Sequence, residues 1–222
     1  NNCVIIPHKN PDGDALGSSL ALNFFLKKKG LDSIVIAPND YPKFLKWMPG
    51  EKDILNFEIN NSTANEYLKK AELIFVLDFN DPKRGGDLFS YIENSYSKTI
   101  MIDHHENPKD FSFVKFSLPK YSSTSEIVYD LINFIDSSLI DDEIATCLYT
   151  GIMTDTGSFK YSSTTTKTHY VIGKLIENGA KNSKIHQNVC NTFSFNRIKL
   201  LGIALKNIIK LDFGPFVIIT LN

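Results

Sequence analysis

Four short polar clusters hold the residues of this sequence best suited to ligating a metal or moving a proton. The first is His8-Lys9-Asn10-Pro11-Asp12-Gly13-Asp14, an imidazole and two carboxylates around a turn that Asn10-Pro11 and Gly13 favour. The second is Asp78, followed by Asp81-Pro82-Lys83-Arg84-Gly85-Gly86, and the third is Asp103-His104-His105-Glu106. The fourth is Thr154-Asp155-Thr156-Gly157-Ser158. Together His8, Asp12, Asp14, Asp78, His104 and Asp155 offer imidazole nitrogens and carboxylates but no thiolate. That donor set suits Mn²⁺, and less specifically Mg²⁺, Co²⁺ or Zn²⁺, and it argues against structural zinc. Four neighbouring carboxylates repel one another, and two divalent cations balance their charge.

Each cluster has a plainer reading when taken alone. Asp12 or Asp14 suits a helix cap. Arg84, whose planar fork fits phosphate oxygens, equally suits a surface ion pair with Asp81 or Asp87. Asp155 suits a solvated helix end. Gly17-Ser18-Ser19 adds hydroxyls near a helix N-terminus, where main-chain N–H groups favour an anion. His169 and His186 fall on expected helices without an acidic neighbour and read as structural or surface residues.

The elements that must position these clusters follow from hydrophobic periodicity. Strand-length apolar runs at residues 3–7, 33–37, 72–78 and 99–103 alternate with amphipathic runs at 14–29, 41–47, 64–70 and 88–93. This alternation predicts an α/β fold with a mostly parallel sheet flanked by helices. Helices are expected over 125–135, capped from the Ser122-Ser123-Thr124 run, and over a buried 141–153. Further helices over 165–177, 183–189 and 195–210 make the C-terminal third helix-rich, and a last strand covers 216–221. Phe111, Phe113 and Phe116 read as a half-buried strand. Three clusters therefore sit at strand ends, where parallel α/β sheets bind ligands.

Composition narrows the function further. The 222 residues are 42% apolar and 22% charged, with a formal net charge of −1, as in an ordinary globular protein. A basic coating for long duplex nucleic acid is disfavoured, and no run approaches the ~18 apolar residues of a membrane span. Cys3, Cys147 and Cys190 are widely spaced and odd in number, which points to a reducing cytoplasm. The immediate opening and closing strands read as a piece of a longer protein.

His8-x-x-Pro11-Asp12-x-Asp14, Asp78, Asp103-His104-His105 and Thr154-Asp155-Thr156-Gly157 resemble the four motifs of the DHH phosphoesterase superfamily, in order and in approximate spacing. The resemblance runs from about residue 3 to 195. The Arg84 loop and Thr154-Asp155-Thr156-Gly157-x-Phe159-x-Tyr161 resemble the nano-RNase/pAp phosphatase branch. It implies that His8, Asp12 and Asp78 hold one Mn²⁺ and that Asp14, Asp78, His104 and Asp155 hold a second, with Asp78 bridging. It also implies that His105 contacts the scissile phosphate, with Arg84 assisting catalysis, and that Asp103 orients its neighbours. Ser18, Arg84 and His105 are the expected substrate contacts. The implied domains are a DHH catalytic domain over 1–195, a linker helix over 196–211, and over 212–222 the first strand of a smaller substrate-binding domain. The Gly-Gly-Gly-His-type motif of that domain is missing from this sequence. Dimers are also implied.

The activity this resemblance implies is exonuclease-like, two-metal hydrolysis of short oligoribonucleotides to nucleoside monophosphates, together with dephosphorylation of 3′-phosphoadenosine 5′-phosphate (pAp). Two ions roughly 3.5–4 Å apart can share and acidify a water. The alternatives are a phosphodiesterase for linear or cyclic dinucleotides, an inorganic pyrophosphatase, and a non-catalytic metal- or nucleotide-binding module.

Overall fold

The computed structural model describes residues 2–190 and 194–220. Six strands form one parallel sheet: β1 (Asn2–Pro7), β2 (Asp32–Ala37), β3 (Leu55–Asn56), β4 (Leu73–Leu77), β5 (Lys98–Asp103) and β6 (Val114–Ser117). Between and after them come helices α1 (Gly13–Lys28), α2 (Asn61–Lys70), α3 (Phe89–Glu93), α4 (Thr124–Asp136), α5 (Asp142–Asp155), α6 (Thr166–Glu177), α7 (Asn182–Cys190) and α8 (Phe195–Lys206). The α/β architecture expected from the alternating periodicities is the one observed.

Both faces of the sheet are covered, which is why its strands read as unbroken apolar runs. Along β1, Cys3 and Ile5 point into a core shared with α1, α4, α5, α6 and α7. Val4 and Ile6 point into a second core with Ala64 and Leu68 of α2 and with Phe89 and Ile92 of α3. β4 repeats the period of two, with Leu77 on the first side and Ile74 and Val76 on the second.

Strand order is β3-β2-β1-β4-β5-β6, so the direction of winding reverses between β1 and β4. Such a switch point leaves a crevice beyond the carboxyl ends of the strands. Register decides what lines it. Pro7 pairs with Leu77, and Leu77 pairs with Ile102. The residues that follow, His8, Asp78 and Asp103-His104, therefore lie at one level at the carboxyl edge of the sheet.

Several boundaries depart from expectation. The helix expected over 195–210 stops at Lys206. Ile208–Lys210 instead forms strand β7, which pairs antiparallel with β8 (Val217–Ile219) across the Gly214-Pro215 turn. Backbone pairing overrides the helical pattern there. β8 is shorter than the strand expected over 216–221, and residue 221 lies outside the described residues, as do 1, 191–193 and 222 of the expected domains. The helix expected over 41–47 is only a 3₁₀ turn at Lys43–Leu45, and the two-residue β3 was not foreseen. α5 runs two residues past the expected end, so Asp155 is its last residue rather than the start of a loop.

Candidate metal centre

Asp78 stands at the middle of the crevice. It is buried and follows the last residue of β4 with φ +65°. A non-glycine residue pays about 1–2 kcal/mol for that left-handed conformation. The turn aims its carboxylate back between neighbouring strand ends, and its N–H remains bonded to the Ile102 carbonyl at 3.0 Å. Asp78 Oδ2 lies 3.5 Å from His8 Nε2, and Oδ1 lies 3.6 Å from His104 Nε2.

The remaining donors gather around these three residues. Asp12 Oδ2 is 3.6 Å from His8 Nε2. Its other oxygen caps α1, accepting from the N–H groups of Asp14 and Ala15 at 3.0 and 3.1 Å. Asp12 is thus both a cap and a candidate ligand. His104 Nε2 lies 3.4 Å from Asp155 Oδ2 and 4.0 Å from Asp14 Oδ2. Among the described residues, His8–Asp12–Asp78, Asp14–His104–Asp155 and Asp78–His104–His105 each place their ligand atoms within 4.8 Å of one another. The structure brings all six expected ligand residues into one nest, with Asp78 between its halves.

The electrostatics of the nest show strong mutual influence. Burial opposes a charge on His8, but Asp12 and Asp78 outweigh it and push the imidazole up to about 10. Partial desolvation would raise Asp12, yet pairing with His8 and bonds from the Ala15 and Asp14 amides bring it down to about 2. Burial, then the charges of Asp78 and Asp155, hold Asp14 well above the usual carboxylate range. Burial also raises Asp155; His104 opposes the rise, Asp78 and Asp12 reinforce it, and the group settles near 6. Carboxylates crowded out of water disfavour one another's charge, and a bound cation removes that penalty.

The donors pass a direct test of fit to a divalent cation. His8 Nδ1 lies 2.7 Å from the Lys9 carbonyl, which keeps a proton on that nitrogen and leaves Nε2, facing Asp12 and Asp78, as the nitrogen whose proton a cation would displace. The Nε2 atoms of both His8 and His104 are buried without a hydrogen-bond partner. Orphaned imidazole nitrogens facing carboxylates are what a cation between them would satisfy. Residues 2–152 match the DHH family, N-terminal domain.

The chain belongs to the DHH family. It is 34% identical over 179 residues to the bifunctional oligoribonuclease and PAP phosphatase NrnA of Thermus thermophilus, covering 80% of this chain and 50% of that protein. The NrnA protein of Bacillus subtilis is 26% identical over 209 residues, covering 92% and 62%. The crystal structure of an exopolyphosphatase-related protein from Bacteroides fragilis superposes with a TM-score of 0.91 at 42% identity, covering 94% of this chain and 62% of that one. The chain thus spans about half to three-fifths of the length of these relatives.

The Asp103-His104-His105 run splits its roles by geometry. His104 faces the nest, whereas His105 is half-exposed at its rim. Buried Asp103 accepts from the His105 main chain at 2.9 Å and pairs with His105 Nδ1 at 2.7 Å, so it orients that ring. The hydrogen bond to Asp103 raises the His105 imidazole against the opposing effect of burial. An Arg84 nitrogen lies 3.2 Å from His105 Nε2, which brings the guanidinium to the same rim. Arg84 is carried by the 3₁₀ segment Pro82–Leu88, and its carbonyl accepts from Lys9 N–H at 2.6 Å.

Ser18 is placed differently from the expected substrate contacts. It is fully buried in α1, and its hydroxyl bonds back to the Asp14 carbonyl at 2.7 Å. This internal bond uses up the hydroxyl that was expected to meet an anion. Conversely, three groups near the centre went unread in the sequence. Asn80 Nδ2 holds the His105 and Glu106 carbonyls at 2.9 and 3.0 Å. Thr124 and Ser125 donate to Asp14, and Thr124 also donates to Asp78. The only sequence signal for the latter pair was the capping run itself.

Proposed function

We propose that this chain is the catalytic part of a two-metal phosphoesterase that hydrolyses short oligoribonucleotides to nucleoside monophosphates and removes the 3′-phosphate of pAp. One observation carries the reading: a single buried carboxylate, Asp78, sits between two imidazoles, His8 and His104, whose buried Nε2 atoms lack hydrogen-bond partners. The similarity to the NrnA proteins supports the substrate class.

His8, Asp12 and Asp78 would hold one cation, and Asp14, Asp78, His104 and Asp155 the other; the oxygen and imidazole donors favour Mn²⁺. Bound divalent cations supply Lewis acidity and an acidified water as nucleophile. The protein's own groups do the rest. With Nδ1 engaged by Asp103, His105 can present Nε2 to a phosphoryl oxygen, and Arg84 can offset charge on the same phosphate. His105 and Asp12 have the most exposed side chains of the nest and its rim, so a phosphate would approach from their side.

Residues 1–195 are read as the catalytic domain, 196–211 as a linker whose last residues, Ile208–Lys210, pair with β8, and 212–222 as the opening of a substrate-binding domain. Exposed Leu201 and Leu205 of α8 and Ile218 and Ile219 of β8 support an apolar partner for that region. Unpaired Cys3, Cys147 and Cys190 support a cytoplasmic setting. Assay with Mn²⁺ and, in parallel, pAp, short oligoribonucleotides, cyclic and linear dinucleotides, and pyrophosphate tests the reading. Phosphate release from pAp and monophosphates from short RNA are expected. Exclusive turnover of dinucleotides or of pyrophosphate would replace the substrate assignment, and no turnover despite bound metal would indicate a binding module.

A further inference from the structure

Glu126 is a carboxylate in the first turn of α4, 1% exposed, and among the described residues its bonds come from neutral donors. Its Oε2 accepts three hydrogen bonds: from Ser122 N–H at 3.1 Å, from the Ser122 hydroxyl at 2.5 Å and from the Thr168 hydroxyl of α6 at 3.3 Å. These bonds tie down the turn that precedes α4. Ser123 caps the helix by accepting from the Glu126 N–H at 3.1 Å.

That turn then reaches the metal nest. Thr124 N–H donates to Asp14 Oδ2 at 2.6 Å, and Ser125 N–H donates to Asp14 Oδ1 at 2.8 Å. The Thr124 hydroxyl donates to Asp78 Oδ1 at 2.9 Å. Both candidate ligands that lie deepest in the protein are therefore oriented by one turn. A helix N-terminus presents free N–H groups, and here the acceptor is the Asp14 side chain of α1.

We propose that Glu126 is a positioning residue for the metal centre. It fixes the 122–125 turn so that two main-chain N–H groups and one hydroxyl set the directions of the Asp14 and Asp78 carboxylates. The proposal rests on the metal-centre reading given above. Outer partners of this kind tune affinity and leave the donor set unchanged.

The test is a calorimetric Mn²⁺ titration of the full 222-residue chain, run on Glu126→Leu, Glu126→Gln and Thr124→Val. Leu175→Ala serves as a control for lost stability, since Leu175 is a buried core residue of α6 distant in sequence from the nest. Glu126→Leu should weaken Mn²⁺ binding by about 10–100-fold. Glu126→Gln keeps a neutral acceptor for the Ser122 and Thr168 donors and should recover most of that loss. Leu175→Ala should lower the unfolding temperature and leave Mn²⁺ affinity unchanged. Thr124→Val removes only the hydroxyl bond to Asp78 and should weaken binding measurably, which keeps the proposal testable if Glu126→Leu fails to fold. Wild-type affinity in Thr124→Val and in a folded Glu126→Leu would overturn it, as would an equal loss in Leu175→Ala. If the unmodified chain binds no Mn²⁺, the metal-centre reading itself fails, and that outcome is distinct from an unchanged affinity in the variants.

Discussion

Gly151 of α5 lies so close to Ser125 of α4 that a Cβ on Gly151 would stand 2.0 Å from Ser125 Oγ. The same Cβ would be 2.9 Å from Asp14 Oδ1. The missing side chain is what lets α5 approach the turn that holds Asp14. Glycine inside a helix normally costs about 1 kcal/mol relative to alanine. At this position the sign reverses. Gly151→Ala should destabilise the protein by about 1–3 kcal/mol through overpacking and weaken metal binding as well. Gly173 of α6 has open space around its Cα, and Gly173→Ala should stabilise by roughly 0.5–1 kcal/mol. Urea unfolding of the two variants measures both signs.

Asp78 faces both halves of the nest, so its loss should cost more than the loss of any ligand confined to one half. Asp78→Ala should reduce Mn²⁺-dependent turnover of pAp by more than the roughly 10–100-fold expected for an outer partner. Asp12→Ala, at the exposed edge, should cost less. Steady-state kinetics with saturating Mn²⁺ decides the order, and near-normal turnover in Asp78→Ala would disprove the bridging role.

Metal removal should be visible as lost stability, because the bare nest crowds mutually repelling carboxylates. A chelator should lower the unfolding temperature, and Mn²⁺ restored to about 100 times its dissociation constant should return about 2.7 kcal/mol per site. For a domain of this size that corresponds to roughly 5–11 °C. Scanning calorimetry with and without chelator reads the shift, and identical curves would contradict a metal centre.

Asp141 offers a pH test away from the nest. It caps α5 by accepting from Ile144 N–H at 3.2 Å and pairs with Lys28 of α1. Burial would raise its carboxyl, but the Lys28 bond, the Ile144 amide and the Lys28 charge outweigh burial and lower it. A carboxyl lowered by folding contributes stability above its unfolded pKa, and that stability is lost as the pH falls through its folded pKa. The wild type should therefore lose this contribution below about pH 4. Asp141→Asn keeps a capping oxygen and should flatten that acid limb. Asp141→Ala should cost about 1 kcal/mol at neutral pH. Denaturation midpoints from pH 2 to 7 separate the two effects.

Much of the fold was legible because its signals are local. Apolar runs the length of a strand, alternating with helical periodicity, specify a parallel sheet with covered faces, and the cores on either side of β1 and β4 are filled accordingly. Ile208–Lys210 escaped because a short apolar run satisfies either period, and only pairing with Val217–Ile219 selects strand. Ser18 marks a limit of that legibility: a hydroxyl near a helix start looks the same in sequence whether it faces a ligand or bonds back into its own helix, as this one does to the Asp14 carbonyl.

The sequence by itself determined which donor types this protein owns and that most of them end strands. It also carried the motif order by which the chain belongs to the DHH family. Tertiary structure alone decided that His8, Asp78 and His104 meet, since their meeting follows from the Pro7–Leu77 and Leu77–Ile102 register. It alone joined Asp14 to amides 110 and 111 residues away, at Thr124 and Ser125. The reason is physical: side-chain periodicity is a property of neighbours along the chain, whereas strand order, register and helix crossing depend on contacts between residues far apart in it.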